Sequence, residues 1–364
     1  MSKPNILIFM TDHQRADTVL PEHQCKMPHL EAMFRDGLAF TQTYCPTPHC
    51  CPVRASFFTG LYPSRHGVWN NICNDQHLSL GLNDGVRTFG EDLVEAGYRL
   101  AFSGKWHVSV LESPADRGWD ELYVTAHKAG VHGERWEQMR EHALDPEPTK
   151  RGEGMILRPG YGPYVTYKST GEKGNASDER AVAEAVAALP QLAASGKPWA
   201  LYVGCNAPHD PYNVPQRFLD MYDLDDVPLP PSYADDLSDK PRVYQRMRRM
   251  RFGQLTEREV REAIRHFWAY CSYLDDLFGR VLTALEATGR ADDTLVLYTS
   301  DHADYCGEHG LFCKGIPCFS GAYPVPAVVR WPAGLADPGR RVDEFVSTAD
   351  FAPTFTELSG RPVD

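Results

Sequence analysis

The chain has 364 residues, with 37 Lys and Arg against 49 Asp and Glu, a net charge of -12, 42% hydrophobic residues and 24% charged ones. That balance excludes a disordered chain, a fibre and a disulfide miniprotein, and the length suits one large domain or two ordinary ones. The acidic excess disfavours non-specific binding to nucleic acid or anionic lipid, so an anionic substrate would need a local cluster of positive side chains.

Asn5 to Met10 (NILIFM) is an unbroken apolar run that reads as a strand buried on both faces, ending at Thr11-Asp12-His13. It is far shorter than the ~20 residues needed to cross a bilayer, and no signal-peptide cleavage pattern follows it. The protein therefore reads as cytoplasmic, with neither membrane nor nucleic acid as a partner, and its ten cysteines as reduced thiols. A second strand is predicted over Leu38 to Tyr44. In Pro48 to Gly60 (PHCCPVRASFFTG), Pro52 suits the first turn of a helix and Gly60 its end, which places Cys50 at a helix amino terminus. A helix over Thr88 to Ala96 closes at Gly97, and a strand over Tyr98 to Ser103 follows.

Residues 108–173 are rich in Gly, Pro, His and Trp without periodicity, and read as an insertion that shapes a site. The sequon at Asn175 is read as accidental in a chain without an export signal. A helix over Asp178 to Ala194 and a strand over Trp199 to Cys205 come next, then a second insertion near 213–255, Pro- and Asp-rich over Asp225 to Pro241. A long helix over Thr256 to Ala287, strands over Thr294 to Thr299 and Val325 to Trp331, and a helix-like segment from Asp350 complete the pattern. Alternating strands and helices argue for an α/β fold: a large, mostly parallel central sheet with helices on both faces, formed by one domain over residues 1–364.

In such sheets ligands bind at the carboxyl ends of the strands. Asp12 follows the first strand, Lys105-Trp106-His107 the strand ending near Ser103, His209-Asp210 the strand ending near Cys205, and Asp301-His302 the strand ending near Thr299. Asp12, Asp301 and His302 are mostly hard ligands suited to a divalent cation such as Ca2+ or Mg2+. Lys105, His107, His209 and Lys314 would then face an anion, as transfer chemistry at a tetrahedral oxyanion requires. The nucleophile such a site needs is offered by the Cys50 segment.

Cys50-x-Pro52-x-Arg54 followed by Thr59-Gly60 resembles the signature of the type I sulfatases of the alkaline phosphatase superfamily. TDHQR at 11–15, GKWH at 104–107, APHDPY at 207–212 and SDHADYCGEHGLFCKG at 300–315 match in order, and the resemblance spans residues 4–358. It implies a sulfuric ester hydrolase, arylsulfatase-like, acting on a small-molecule or carbohydrate sulfate ester. In that family the cysteine at the position of Cys50 is oxidised to formylglycine by a maturation enzyme, and one hydroxyl of the hydrated aldehyde attacks sulfur while the other later expels sulfate. By the same resemblance Asp12, Asp301, His302 and modified Cys50 hold a Ca2+, with Mg2+ or Mn2+ as substitutes. Arg54 orients the diol, Lys105 and Lys314 neutralise sulfate oxygens, His209 protonates the leaving alcohol and His107 assists removal of the second hydroxyl proton. Asn71 aligns by its spacing from Cys50 with an asparagine that contacts the transferred group in related phosphonate hydrolases, with Asn70 as its close rival.

Three features depart from the family pattern. His13 stands where many sulfatases have a second aspartate, as a replacement ligand or a mere neighbour; Val53 stands where Ser or Ala is usual; and the chain stops before a small carboxyl-terminal subdomain, expected to be absent or truncated. A formylglycine-dependent phosphonate monoester or phosphodiester hydrolase is the alternative, opposed by the Lys105/His107 pair, and a non-catalytic binding relative is a second. Cys51 reads as a buried thiol. Cys306, His309, Cys313 and Cys318 invite a zinc reading, although their spacing is irregular and the stretch already matches the sulfatase block. Trp69 and Trp106 serve either stacking on substrate or packing, and His127, His132, Arg135, Tyr161 and Tyr164 are candidates for substrate specificity.

Overall fold

Every residue of the first strand, β1 (Asn5–Thr11), is buried, because a run with apolar side chains on both alternating faces is stable only when both are covered. The structure, a computed structural model, describes residues 3–72, 77–125, 151–158 and 162–363. The remaining strands are β2 (Leu38–Tyr44), β3 (Arg99–Gly104), β4 (Asp120–Val124), β5 (Met155–Arg158), β6 (Gly162–Val165), β7 (Tyr167–Ser169), β8 (Trp199–Gly204), β9 (Tyr212–Val214), β10 (Thr294–Ser300), β11 (Ala327–Arg330) and β12 (Arg340–Ser347). Eight of them form one sheet in the order β12-β2-β11-β10-β1-β8-β3-β4. Only β11 runs antiparallel to its neighbours; the other adjacent pairs are parallel.

The period of two along β1 sends its side chains into two cores. Leu7 and Phe9 face a layer built on the helices Pro28–Asp36, Ala176–Ala193 and Glu257–Ala287. Ile6, Ile8 and Met10 face the helices Cys50–Thr59, Phe89–Glu95 and Phe351–Leu358. The mixed α/β architecture expected from the sequence is the one observed, with the main strands displaced by a residue or two at their ends.

Differences arise where the pattern carries no apolar signal. β4 lies in the first insertion, β5 pairs with β6, β7 pairs with β9, and the edge strand β12 (RRVDEFVS) is mostly exposed, so its composition follows solvent rather than core. The sequon residue Asn175 is the N-cap of the helix Ala176–Ala193: its side-chain oxygen accepts from the amides of Ser177 and Asp178 at 3.1 and 3.3 Å.

Glycine is required where β3 and β8 end together. Gly104 has φ +112°, and a methyl group on it would stand 1.9 Å from the Gly204 carbonyl oxygen, so only glycine allows the chain to turn into Lys105 there. Among the described residues no helix is long and apolar enough to cross a membrane.

Candidate active site

Four strand ends deliver the chemistry. Asp12 leaves β1, Lys105 leaves β3, His209 follows β8, and Asp301 and His302 leave β10, the central parallel strands lying side by side in the sheet. Cys50 arrives separately, as the first residue of the helix Cys50–Thr59, which ends at Gly60 in the left-handed conformation, φ +71°. No side chain caps the start of this helix at His49; instead Asn71 Oδ1 accepts the Cys51 amide at 3.1 Å.

The ligand atoms of Asp12, Cys50, Asp301 and His302 lie within 4.8 Å of one another, and all four residues are buried. Cys50 Sγ is 3.6 Å from Asp12 Oδ1, 3.2 Å from His302 Nε2 and 2.9 Å from Lys314 Nζ. Two carboxylates, an imidazole and a group at position 50 are a donor set that fits a divalent cation. Lys105 lies directly against the Asp12 carboxylate. Arg54, one helical turn beyond Cys50 and fully buried, donates from Nε to Asp301 Oδ2 at 2.9 Å and from Nη1 to the Lys105 carbonyl at 2.9 Å and the Tyr202 hydroxyl at 3.0 Å. It thereby clamps three strand ends to the helix that carries Cys50.

The charges act on one another strongly because water is excluded. Burial and the neighbouring Cys50 push the Asp12 pKa up, but Lys105, His209 and Lys314 outweigh them and hold the carboxyl well below its usual range. Burial also opposes ionisation of Cys50, yet Lys105, Lys314 and His302, with a hydrogen bond from His107, carry its pKa well below the ordinary thiol value. For His209, burial and Lys314 favour the neutral ring, and Asp210 and Asp12 reverse this, so its pKa is raised. Its Nδ1 is 2.6 Å from the Asp210 carbonyl oxygen, and its Nε2 is 3.4 Å from Lys314 Nζ.

The family profile that describes sulfatases matches residues 4–361. The chain belongs to the sulfatase family. It is 31% identical to choline-sulfatase of Rhizobium meliloti (strain 1021), a match covering 98% of this chain and 68% of that protein. Phosphonate monoester hydrolase of Agrobacterium radiobacter superposes with a TM-score of 0.74 at 24% identity, over 98% of this chain and 74% of the other. A structure solved with D-glucosamine-2-N,6-O-disulfate as substrate superposes with a TM-score of 0.73 at 20% identity, over 100% of this chain and 78% of the other. These neighbours share the fold of the alkaline phosphatase superfamily. The sulfatase family is one of hydrolases, and it implies a divalent metal and a formylglycine.

Around this sulfatase site the structure brings together Asp12, Cys50, Arg54, Lys105, His107, His209, Asp301, His302 and Lys314, with Asn71 at the edge of the Cys50 helix. Trp106 is buried against Phe58 at 4.7 Å between ring centres, a packing role, whereas Trp69 is exposed. Among the described residues, two groups have metal-ligand spacing, Asp12, Cys50, Asp301 and His302, and Asp12, His13, Cys50 and His209, and neither includes Cys306, His309, Cys313 or Cys318; His309 Nδ1 instead pairs with Asp235 at 2.8 Å. His127, His132, Arg135 and Tyr161 lie outside the described residues. Tyr164 reaches the site, bonding through its hydroxyl to Asp210 beside His209. Sequence reasoning missed Tyr202, Asp178 and Asp304. Tyr202 reads as one more strand residue, and Asp178 and Asp304 are single carboxylates whose partners are set by the fold.

Proposed function

We propose that this sulfatase hydrolyses a sulfate ester to an alcohol and inorganic sulfate, with a formylglycine made from Cys50 by a maturation enzyme. One divalent metal, Ca2+ first and Mg2+ or Mn2+ as substitutes, would be held by Asp12, Asp301, His302 and the group at position 50. The observation that supports this reading is the convergence at Cys50 Sγ of the Asp12 carboxylate at 3.6 Å, the His302 imidazole at 3.2 Å and the Lys314 ammonium at 2.9 Å. The aldehyde, hydrated, supplies one hydroxyl for attack on sulfur and a second to expel sulfate, and the metal supplies positive charge beside them.

The chain's own residues do the rest. Lys105 and Lys314 hold and neutralise the sulfate oxygens, and Asn71, whose side-chain oxygen is taken by the Cys51 amide, has its NH2 left to donate. Arg54 keeps a buried Nη2 without a partner, a donor for the oxygens of the hydrated group. His209, with its raised pKa, keeps a proton for the leaving alcohol, and His107, hydrogen-bonded to Cys50, takes one from the second hydroxyl. Choline-sulfatase and the glucosamine disulfate complex among its relatives support a small-molecule or carbohydrate sulfate ester as the substrate class.

Parallel assays with 4-nitrophenyl sulfate and a phenyl phosphonate monoester test the reading. The sulfate ester should show the higher kcat/KM, and Cys50→Ala should lower it by roughly 10³-fold or more at unchanged Tm. A preference for the phosphonate would reassign the enzyme to the phosphonate hydrolases, and a fully active Cys50→Ala would remove the nucleophile.

A further inference from the structure

In the second insertion the helix Arg242–Met250 (RVYQRMRRM) carries no acidic residue. Arg242, Arg246 and Arg249 are exposed and fall at i, i+4 and i+7, one stripe of the helix surface. Among the described residues no acidic side chain pairs with any of the three. On the long helix Glu257–Ala287, by contrast, Arg261, Arg265 and Arg280 each meet a carboxylate, at 3.1, 3.4 and 2.7 Å. Like charges at such spacing repel, so the stripe is a concentrated positive patch on a chain of net charge -12. Beside it Val243, Met247 and Met250, with Arg246 and Arg251, line a groove of about 280 Å3.

The other face of this helix is set against the walls of the active site. The Tyr244 hydroxyl accepts the Cys318 amide at 3.0 Å, and its ring stands 5.4 Å from that of Phe319, in the loop that leads on from Lys314. Met247 Cε lies 3.6 Å from where a methyl group on Gly315, the residue after Lys314, would stand. Just past the helix, Gln254 accepts the Leu157 amide at 2.9 Å and donates to the Leu157 carbonyl at 3.0 Å. This holds β5, whose partner β6 carries Tyr164 to Asp210. We propose that Arg242, Arg246 and Arg249 form a subsite for a second anionic group of the substrate, a sulfate or carboxylate on a neighbouring sugar, so that the ester cleaved belongs to a sulfated oligosaccharide. Guanidinium forks match either anion bidentately, and the apolar side of the groove suits the faces of sugar rings. A helix is ~10 Å across with its side chains, so an anion on the outer stripe is beyond a single small ester and calls for several linked sugars. This rests on the proposed sulfate ester hydrolysis at position 50 and Lys314.

The test is inhibition of 4-nitrophenyl sulfate hydrolysis by a heparin tetrasaccharide, in the metal-loaded enzyme at low salt. The tetrasaccharide should compete with the ester and bind about tenfold or more tightly than inorganic sulfate, because its other anions engage the stripe. Joint replacement Arg242→Gln, Arg246→Gln and Arg249→Gln should raise its inhibition constant about tenfold or more. The same variant should keep kcat/KM for 4-nitrophenyl sulfate, and inhibition by inorganic sulfate, within about twofold of the parent. Gln is nearly as good a helix former as Arg, so Tm should hold. Lysine at the three positions should restore part of the binding, since the charge is kept and the fork is not, and added salt should narrow the gap between parent and variant. A control with the same change in charge, Arg290→Gln with Arg340→Gln and Arg341→Gln, lies at the amino ends of β10 and β12, the sheet edge away from the site. It should leave tetrasaccharide inhibition within about twofold. Equal effects from the two triple variants, or none from either, would overturn the subsite, as would non-competitive inhibition, the mark of an acidic macromolecule docking on the helix. A parent that hydrolyses no sulfate ester would instead refute the proposed function on which the subsite rests.

Discussion

At the scale of single residues, His209 depends on groups that its own neighbourhood in the chain does not disclose. Asp178, in the helix before β8, accepts from the amides of Asn206 and Ala207 at 2.7 and 2.9 Å and from Asn206 Nδ2 at 3.0 Å. This pins the turn that carries His209 out of the sheet. Asp210 and Asp12 then keep its pKa raised against burial and Lys314. A general acid matters most when the departing oxygen is a poor leaving group. His209→Ala should therefore lower kcat/KM for alkyl sulfates by about 10²-fold or more, and for 4-nitrophenyl sulfate by roughly tenfold or less. Equal losses along a leaving-group series would remove the general-acid role. Asp12, Lys105, His209, Asp301 and His302 were legible in the sequence because each directly follows an apolar run. Asp178 and Asp304 were not: a lone carboxylate in a helix or loop looks the same whether it faces water or caps a distant turn.

At the scale of elements, the helix Cys50–Thr59 is anchored by the chain that follows it. His66 is fully buried; it accepts the Val68 amide on Nδ1 at 3.1 Å, so its Nε2 proton is directed at Ser56 Oγ, 3.0 Å away on that helix. Burial pushes the His66 pKa down to about 4, against ~6.5 in an unfolded chain. Between those two values the unfolded state binds the proton and the native state does not, so stability should fall as pH drops from ~6.5 to 4. Thermal unfolding of the parent and of His66→Gln over that range checks the point: the variant, which cannot titrate there, should lose less Tm on acidification. Parallel acid curves would show that His66 does not contribute. This helix was readable because Pro52 and Gly60 punctuate it. β12 was not, because an exposed edge strand built of Arg, Asp and Glu has no apolar alternation to detect.

On the scale of the whole molecule, an acidic protein carries a buried site in which Arg54 and Lys105 pair with two carboxylates at the ends of the central strands, and Lys314 meets Cys50 beside them. Net charge repels a sulfate ester at long range, and the local cluster reverses this at the sheet's carboxyl edge. The arrangement was legible as a whole because the parallel sheet forces consecutive strand ends into one place. A divalent ion held there binds only the folded state, so removing it should destabilise. At metal about a hundredfold above its Kd the loss is roughly 2.7 kcal/mol, about 2–5 °C in Tm for a chain of this size. Scanning with and without chelator measures it, and coincident curves would argue against a resident metal.

The central claim, that Cys50 becomes the nucleophile by oxidation, is tested most directly by mass spectrometry of the proteolytic peptide holding Cys50 and Cys51, from active enzyme made in a host with the maturation system. The account predicts an aldehyde at Cys50, trapped by a hydrazide, with Cys51 unchanged. A fully active enzyme whose Cys50 is still a thiol would contradict it.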